Sequence, residues 1–520
     1  MIQNPILPGF RPDPSIVRQG LDFYIATSTF EWFPGVALHH SRDLAHWRPI
    51  GHALTRSSQL ELRGVGDSGG VWAPSLSFAE DKFWLIHTNI RQRLTNFKDI
   101  RIFLSTAPEI SGPWTDPIAL DSIGFDPSLF HDEDGRKWLV NMVWDFRKGR
   151  SRFAGIVLQE FDVRSESLIG PRKKIFEKPV LIEGPNLYKR GGWYYLMLAE
   201  GGTGWNHGIS MARSRSLWGP YEEDPHGPLL TTRDTLDSPL QKAGHGELVE
   251  TPSGEWYLVH LASRPLPPSR RCLLGRETCL QKVEWTADGW LRLAGGGWHP
   301  KLEWPAPQGL HAQPWPALLE REDFNAPSLD SRWSALRVPM EKSWISLAER
   351  PGWLRLRGRD SLHSLFEQSL VARRIEEIPL RIETRLDFEP VGFTQMAGLI
   401  VYYDTRGHYY LRVTWNESHG KVLGVVSTDE GSYDELGDIA IGNWSSIYLR
   451  AEIQREVLCF FASANGSDWI AMGPSLDASK LSDDYGAALR FTGAMAGVCC
   501  QDVGGDRSHA DFDYFQMSRL

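Results

Sequence analysis

A chain of 520 residues is longer than one hydrophobic core usually organises, so two or more domains are expected. A formal net charge of −9 argues against nucleic acid as the main partner and fits a small neutral substrate, and no run reaches the roughly 18 apolar residues of a membrane span. The 41% hydrophobic and 23% charged residues are ordinary for a globular protein, whereas 22 tryptophans and 49 glycines point to short strands, tight turns and aromatic-lined surfaces.

The chain starts Met1-Ile2-Gln3-Asn4-Pro5, without the basic and apolar regions of a secretory leader. The five cysteines (Cys272, Cys279, Cys459, Cys499, Cys500) are odd in number and lack metal-ligand spacing, so reduced thiols in a cytoplasmic protein are expected. On that reading the sequons at Asn416, Asn443 and Asn465 carry no glycan.

The first motif, Arg11-Pro12-Asp13-Pro14-Ser15-Ile16, contains an Asp-Pro-Ser-aliphatic core that returns as Asp126-Pro127-Ser128-Leu129. It recurs without the acid as Ala73-Pro74-Ser75-Leu76, just after Trp72, and more loosely as Glu183-Gly184-Pro185-Asn186-Leu187. Second apolar strands begin at Phe23, Phe83, Trp138, Trp193 and Trp256, a spacing of about 55–63 residues, near the range of repeat architectures. Turns such as Asp134-Gly135 and Gly191-Gly192 make each unit three or four short antiparallel strands. Five such units predict an all-β chain whose residues 1–300 form a five-bladed β-propeller; a sandwich does not explain so regular a period. The Pro-Ser segments are then the innermost strands. Asp13, Trp72, Asp126, Glu183 and Gly244-His245-Gly246-Glu247 would face one mouth of the central channel.

Residues 301–317 are Pro-rich and read as a semi-rigid linker. In residues 318–520 the repeat is gone. Ile447, Leu449, Ala451 and Ile453 alternate with polar residues, and Asn465-Gly466 signals a hairpin, which predicts a β-sandwich.

Three carboxylates and several tryptophans around a dead-end pocket suit glycoside hydrolysis, in which one carboxyl protonates the leaving oxygen and another acts at the anomeric centre. The third, placed near the acid, would raise its pKa by like-charge repulsion. Asp before Pro is often only a turn former, and Trp72 alone would read as core. The register shared with Glu183 is what favours a site. Arg276 would either pair with Glu277 or Glu284, or fix the ionisation of the three acids. His245 with Glu247 or Asp126 has no recognised metal spacing; a structural cation near His245 on the channel axis is compatible with the sequence and not required.

These residues resemble glycoside hydrolase family 43. The likeness rests on Asn4–Phe10 leading into Pro12-Asp13-Pro14-Ser15, on Gly70–Leu76, Phe125–Phe130, Phe153–Glu160, Glu200–Gly204 and Gln241–Gly246, and on Leu274-Gly275-Arg276-Glu277-Thr278. It is strongest to the β-xylosidases that join a propeller to a C-terminal sandwich packed on the active-site side. The resemblance implies an inverting exo-enzyme that needs no cofactor and releases xylose from non-reducing ends of β-1,4-xylooligosaccharides. By motif, Asp13 is the general base, Glu183 the general acid, and Asp126 the residue that orients and tunes the acid. Phe30, Trp72, Thr203, His245 and Arg276 fall on positions that hold the terminal sugar, and Phe491, in Phe491-Thr492-Gly493-Ala494, on the sandwich loop that narrows the mouth. Inversion would require roughly 6.5–9.5 Å between the two reacting carboxyls. The chain departs from the family at Asn186, where a His is usual, at Ile90–Asn96 and at Glu31-Trp32-Phe33; substrate preference is what these changes affect.

The alternatives are an α-L-arabinofuranosidase or bifunctional enzyme on the same chemistry, a retaining fructan hydrolase, and a non-catalytic carbohydrate-binding propeller. The Asn-Asp-Pro-Asn-Gly start of the fructan enzymes is absent, and all three acids are present, against the last. The expected partner is the oligosaccharide, with neither nucleic acid nor membrane; a homo-oligomer is compatible with the sequence.

Overall fold

The computed structural model describes residues 1–520, and its first strands fold as the repeat predicts. Blade 1 consists of Ser15–Gln19, Asp22–Thr27, Gly35–Ser41 and Arg48–Leu54, paired in that order. Blades 2 to 5 repeat the four-stranded order, starting at Gly70–Ala79, Ser128–His131, Ile182–Arg190 and Gln241–Glu250. Apolar residues on the blade faces pack against the next blade. Trp84, Ile86 and Leu104 of blade 2, for example, meet Leu129, Leu139 and Phe161 of blade 3. Radial packing buries both faces of each sheet and leaves only short edges.

The first strands of the blades line the axis, and the motif serine explains itself there. Ser15 Oγ donates to Glu247 of blade 5 and accepts the Leu76 amide of blade 2 at 2.7 Å. Ser128 Oγ donates to the Pro185 carbonyl of blade 4 at 2.6 Å. Asn186 donates across to the Gly246 carbonyl at 3.4 Å. Each small polar side chain thus stitches one inner strand to another.

The ring closes through its N-terminus. Ile2–Gln3 pairs with Glu303–Trp304, and the Asn4 amide bonds the backbone of both Leu280 and Lys301. The Pro-rich segment continues along the closure. Gln308 bonds Glu255 of blade 5, and Gln313 and Trp315 bond Asp43 and the His46 carbonyl of blade 1.

Beyond it two eight-stranded antiparallel sheets form a sandwich. In Ile447–Gln454 the buried and half-exposed positions alternate as the sequence predicts. The Asn465-Gly466 turn is longer than a two-residue hairpin, because pairing stops at Ala462 and Ile470 and Asn465 Oδ1 caps the loop by accepting the Ser467 and Asp468 amides.

One strand crosses domains. Trp32–Phe33, inside the propeller sequence, pairs with Ser334–Leu336 and becomes the edge strand of a sandwich sheet. Glu31-Trp32-Phe33, where the chain departs from the family, is the seam between domains, and it covers a sheet edge that would otherwise expose unpaired backbone groups.

Glu31 is fully buried in this seam. One of its carboxyl oxygens accepts the Ser68 amide at 3.1 Å and the other has no partner. Burial pushes the group up to about 8, against the pull of the Arg337 guanidinium and with the push of Asp67. A carboxyl raised in the folded state stabilises the fold fully below its ordinary value of 4.5, and that contribution is lost as pH climbs through about 8. Glu31→Gln, which stays neutral, is therefore expected to raise Tm by a few degrees at about pH 9 and by much less at about pH 5. Thermal scans at the two pH values check this; an equal shift at both would contradict it.

Candidate active site

The blade starts carry the acids on bent backbone. Asp13 and Asp126 have φ of 52° just before their inner strands, and Gly184 of 53° and His245 of 41° mark register breaks near the start of theirs. Such conformations cost on the order of 1–3 kcal/mol for a non-glycine residue and concentrate at functional sites. Here the kink occurs at both the Asp13 and Asp126 acids. In blade 4 the kink falls on Gly184 and the carboxylate on the residue before it, Glu183. A Cβ on Gly184 would lie 2.9 Å from His245 Nε2, so glycine is required by both backbone and neighbour.

The three carboxylates line one cavity of about 270 Å³ together with Phe30, Trp72, Thr203, His245, Arg276 and Phe491. Each of these nine borders the same space, whereas Glu247, also expected at this mouth, lies off the cavity and accepts from Ser15 and the Ile16 amide. The volume is slightly below the roughly 300–1,000 Å³ of pockets for drug-sized ligands, and suits one or two sugar rings.

The acids are not equivalent. Asp13 Oδ1 accepts from Arg276 Nη1 at 2.8 Å and Oδ2 from Ser28 Oγ at 2.7 Å. Arg276 is buried, and its partner is Asp13 rather than Glu277, which Arg264 holds, or Glu284. Glu183 has no cation in ion-pair contact; burial and then the Asp13 charge push it up to about 7, with Arg276 and Lys98 pulling back. Asp126 is also pushed up, by burial and by the charges of Glu183 and Asp13, while Arg276 and the Gly184 amide draw it down. Three buried carboxyls with one close guanidinium cannot all ionise together, so the Glu183–Asp126 side keeps a proton near neutral pH.

Arg276 also reaches the second domain, donating from Nη2 to the Phe491 carbonyl at 3.0 Å. Gly275 and Gly493 make that crossing: a Cβ on Gly275 would lie 2.8 Å from the Gly493 Cα, and one on Gly493 2.8 Å from the Leu274 carbonyl oxygen. Phe491 is fixed further by its amide, which donates to Ser68 Oγ at 3.1 Å.

Six rings form a belt. Phe30 and Phe491 lie 6.1 Å apart, Phe491 and Trp72 5.2 Å, Trp72 and Phe125 5.3 Å, and Trp144 packs edge-on against Phe153 at 5.5 Å. Both pocket indoles spend their N–H on backbone, Trp72 on the Ser68 carbonyl and Trp144 on that of Asn96. They offer a ligand apolar surface only. Phe125, Trp144, Phe153, Lys98, Leu181 and Leu489 line the pocket without having been singled out from the sequence. Phe125 directly precedes Asp126 and Phe153 opens the Phe153–Glu160 stretch, and those places are the signals that could have found these two.

Metal chemistry has little support from the donors. The one group of three ionisable ligand atoms within 4.8 Å is Cys272, Asp483 and Asp484, away from His245, and the Lys242 ammonium already bonds both carboxylates. His245 Nδ1 instead faces Asp13 Oδ1 at 3.9 Å.

The family model for glycosyl hydrolases family 43 matches residues 2–291, and one described as a beta xylosidase C-terminal concanavalin A-like domain matches residues 321–518. The chain is 46% identical over 531 residues to a xylan 1,3-beta-xylosidase of Vibrio sp, covering 99% of this chain and 98% of that one. It is 46% identical over 526 residues to xylosidase/arabinosidase 43B of Humicola insolens, covering 99% and 97%. The crystal structure of xylan beta-1,4-xylosidase from Bacillus halodurans C-125 superposes with a TM-score of 0.98 at 53% identity, over 100% of both chains.

Gly184→Ala forces its new methyl onto the His245 ring and disturbs the bend that aims Glu183. Turnover is expected to fall roughly 10-fold or more, because a displacement of about 1 Å near reacting groups costs on that scale. Steady-state kinetics with an aryl β-xyloside check this; unchanged turnover would contradict it.

Proposed function

The chain belongs to glycosyl hydrolases family 43, and from that premise we propose that it is an exo-acting, inverting β-xylosidase in which Asp13 is the base, Glu183 the acid and Asp126 the residue that tunes and orients Glu183. The observation that carries the assignment is the unequal pairing of the acids. Asp13 holds the ion pair with Arg276, and Glu183, with no cation in contact, is pushed up to about 7. A base must be ready to take a proton from water, and an acid must carry one near neutral pH.

In the reaction, the non-reducing xylose enters the cavity with its C–H faces against the aromatic belt, and Phe30, Trp72 and Phe491 close around it. Asp13 takes a proton from a water that attacks the anomeric carbon from one side. Glu183 gives its proton to the glycosidic oxygen leaving on the other. Asp126, buried in the same pocket and itself pushed up, shares the retained proton with Glu183 and orients its carboxyl. Cavity size and the sandwich loop limit entry to a chain end.

A second reading, activity on α-L-arabinofuranosides as well, is favoured by the similarity to the Humicola insolens xylosidase/arabinosidase. The two pentoses differ by an amount that pocket shape decides within a few kcal/mol. Relatives described as acting on 1,3- and on 1,4-linked xylan also leave linkage to experiment; we propose β-1,4.

Proton NMR of xylobiose hydrolysis is expected to show α-xylose as the first product, the inverted anomer. β-Xylose appearing first would contradict inversion. Glu183→Ala should lower kcat on xylobiose by roughly 10²–10⁴-fold and on an activated aryl xyloside far less, because only the poor leaving group needs the proton. Equal losses on both would remove Glu183 from the acid role.

A further inference from the structure

The pocket mouth is rimmed by two loops, residues 91–99 between the second and third strands of blade 2 and residues 145–152 at the same place in blade 3. They are joined to each other. Trp144 Nε1 donates to the Asn96 carbonyl at 2.8 Å, Arg152 donates to the Asn96 side chain, and the rings of Phe97 and Phe146 lie 4.6 Å apart. That ring pair is out in solvent, Phe97 being 62% and Phe146 46% exposed, and each is within two residues of a pocket-lining side chain, Lys98 or Trp144.

The same loops carry Arg91, Arg93, Lys98, Arg147, Lys148, Arg150 and Arg152. Of these only Arg147 has a carboxylate partner, Asp145. Arg93 sits 5.1 Å over the Phe491 ring, Lys98 4.5 Å and Arg152 5.8 Å over Trp144, so three cations converge where the pocket opens. They feel one another: burial, then the charges of Arg93 and Arg152, together lower Lys98 to about 8, with Glu183 pulling the other way. Crowded cations without anions are unfavourable in a free protein and become favourable when a ligand brings the anion.

We propose that this rim binds a uronic-acid branch of the substrate, a xylooligosaccharide whose terminal xylose occupies the pocket while a carboxylate-bearing sugar lies on the loops. The inference rests on the β-xylosidase reading and extends it to the leaving-group side. Two requirements of such a ligand are met together. A pyranose needs exposed apolar faces, which Phe97 and Phe146 supply, and its carboxylate needs guanidinium or ammonium groups with free donors. A neutral xylan chain needs only the first. A chain of net charge −9 would also repel an anionic substrate unless the approach were locally basic, as these loops make it.

The test compares kcat/KM for xylotetraose with that for the same oligosaccharide carrying glucuronic acid on its second or third xylose, at low and high salt. The acidic substrate is expected to be preferred by about fivefold or more near 20 mM salt, and the preference to fall toward one near 0.5 M, where screening shortens to a few ångström. Arg150→Ser/Arg152→Ser, both exposed and the second one of the three converging cations, should bring the low-salt ratio toward one, and Phe97→Ala should lower it as well. A ratio at or below one in low salt, or one that survives both salt and the double substitution, overturns the uronate site. Wild-type protein that cuts neither substrate overturns the hydrolase reading on which the site rests, whereas turnover of the neutral chain alone overturns only the uronate site.

Discussion

One buried guanidinium sets the terms for the active site. Arg276 pairs with Asp13 through one nitrogen and holds the Phe491 carbonyl through another, so the propeller's proposed base and the sandwich's contribution to the pocket share an anchor. Removing a buried charge partner leaves the other charge uncompensated, which is why such a contact constrains its surroundings far more than a surface ion pair. The glycines on either side of the crossing, Gly275 and Gly493, let the two backbones approach closely enough for that reach. The asymmetry of the acids follows. The carboxyl next to Arg276 is ion-paired, and the one without a close cation holds a proton.

The propeller contributes a repeated position, and the chemistry uses its variations. The same bend at the head of an inner strand carries Asp in blades 1 and 3, Gly in blade 4 and His in blade 5. Where the bend is glycine, the acid moves back one residue and acquires a longer side chain. The serines of the motif do different work, tying inner strands together around the axis. A turn that looks uniform in sequence thus divides into a structural half, Pro-Ser, and a chemical half, the residue that precedes it.

Most of the architecture was legible because its signals are local: strand periodicity, turn residues, and a motif repeated at near-constant spacing. The meeting of Asp13, Asp126 and Glu183 was legible for the same reason, since equivalent positions in a radial repeat converge. Phe491 was reachable only through family resemblance, because no local pattern ties a sandwich loop to a propeller pocket. Trp144 and Phe153 were missed as pocket residues because they sit at the paired ends of two strands of blade 3, and Lys98 because it sits on a loop, places that no period marks. The crossing strand Trp32–Phe33 is two residues long, too short for any alternation to mark it, and Glu31 beside it is a buried acid whose only warning is its place in an apolar run.

The central claim is that Glu183 keeps its proton into the neutral range because it is buried beside Asp13 without a close cation. Infrared difference spectra of wild type against Glu183→Gln isolate the carbonyl band of the protonated Glu183 carboxyl across a pH series. The account predicts a band that titrates away with a midpoint at about 7 and that shifts to lower pH in Asp13→Asn, where the repelling charge is gone. A band already lost near the ordinary glutamate value of 4.5, or a midpoint indifferent to Asp13, would contradict it.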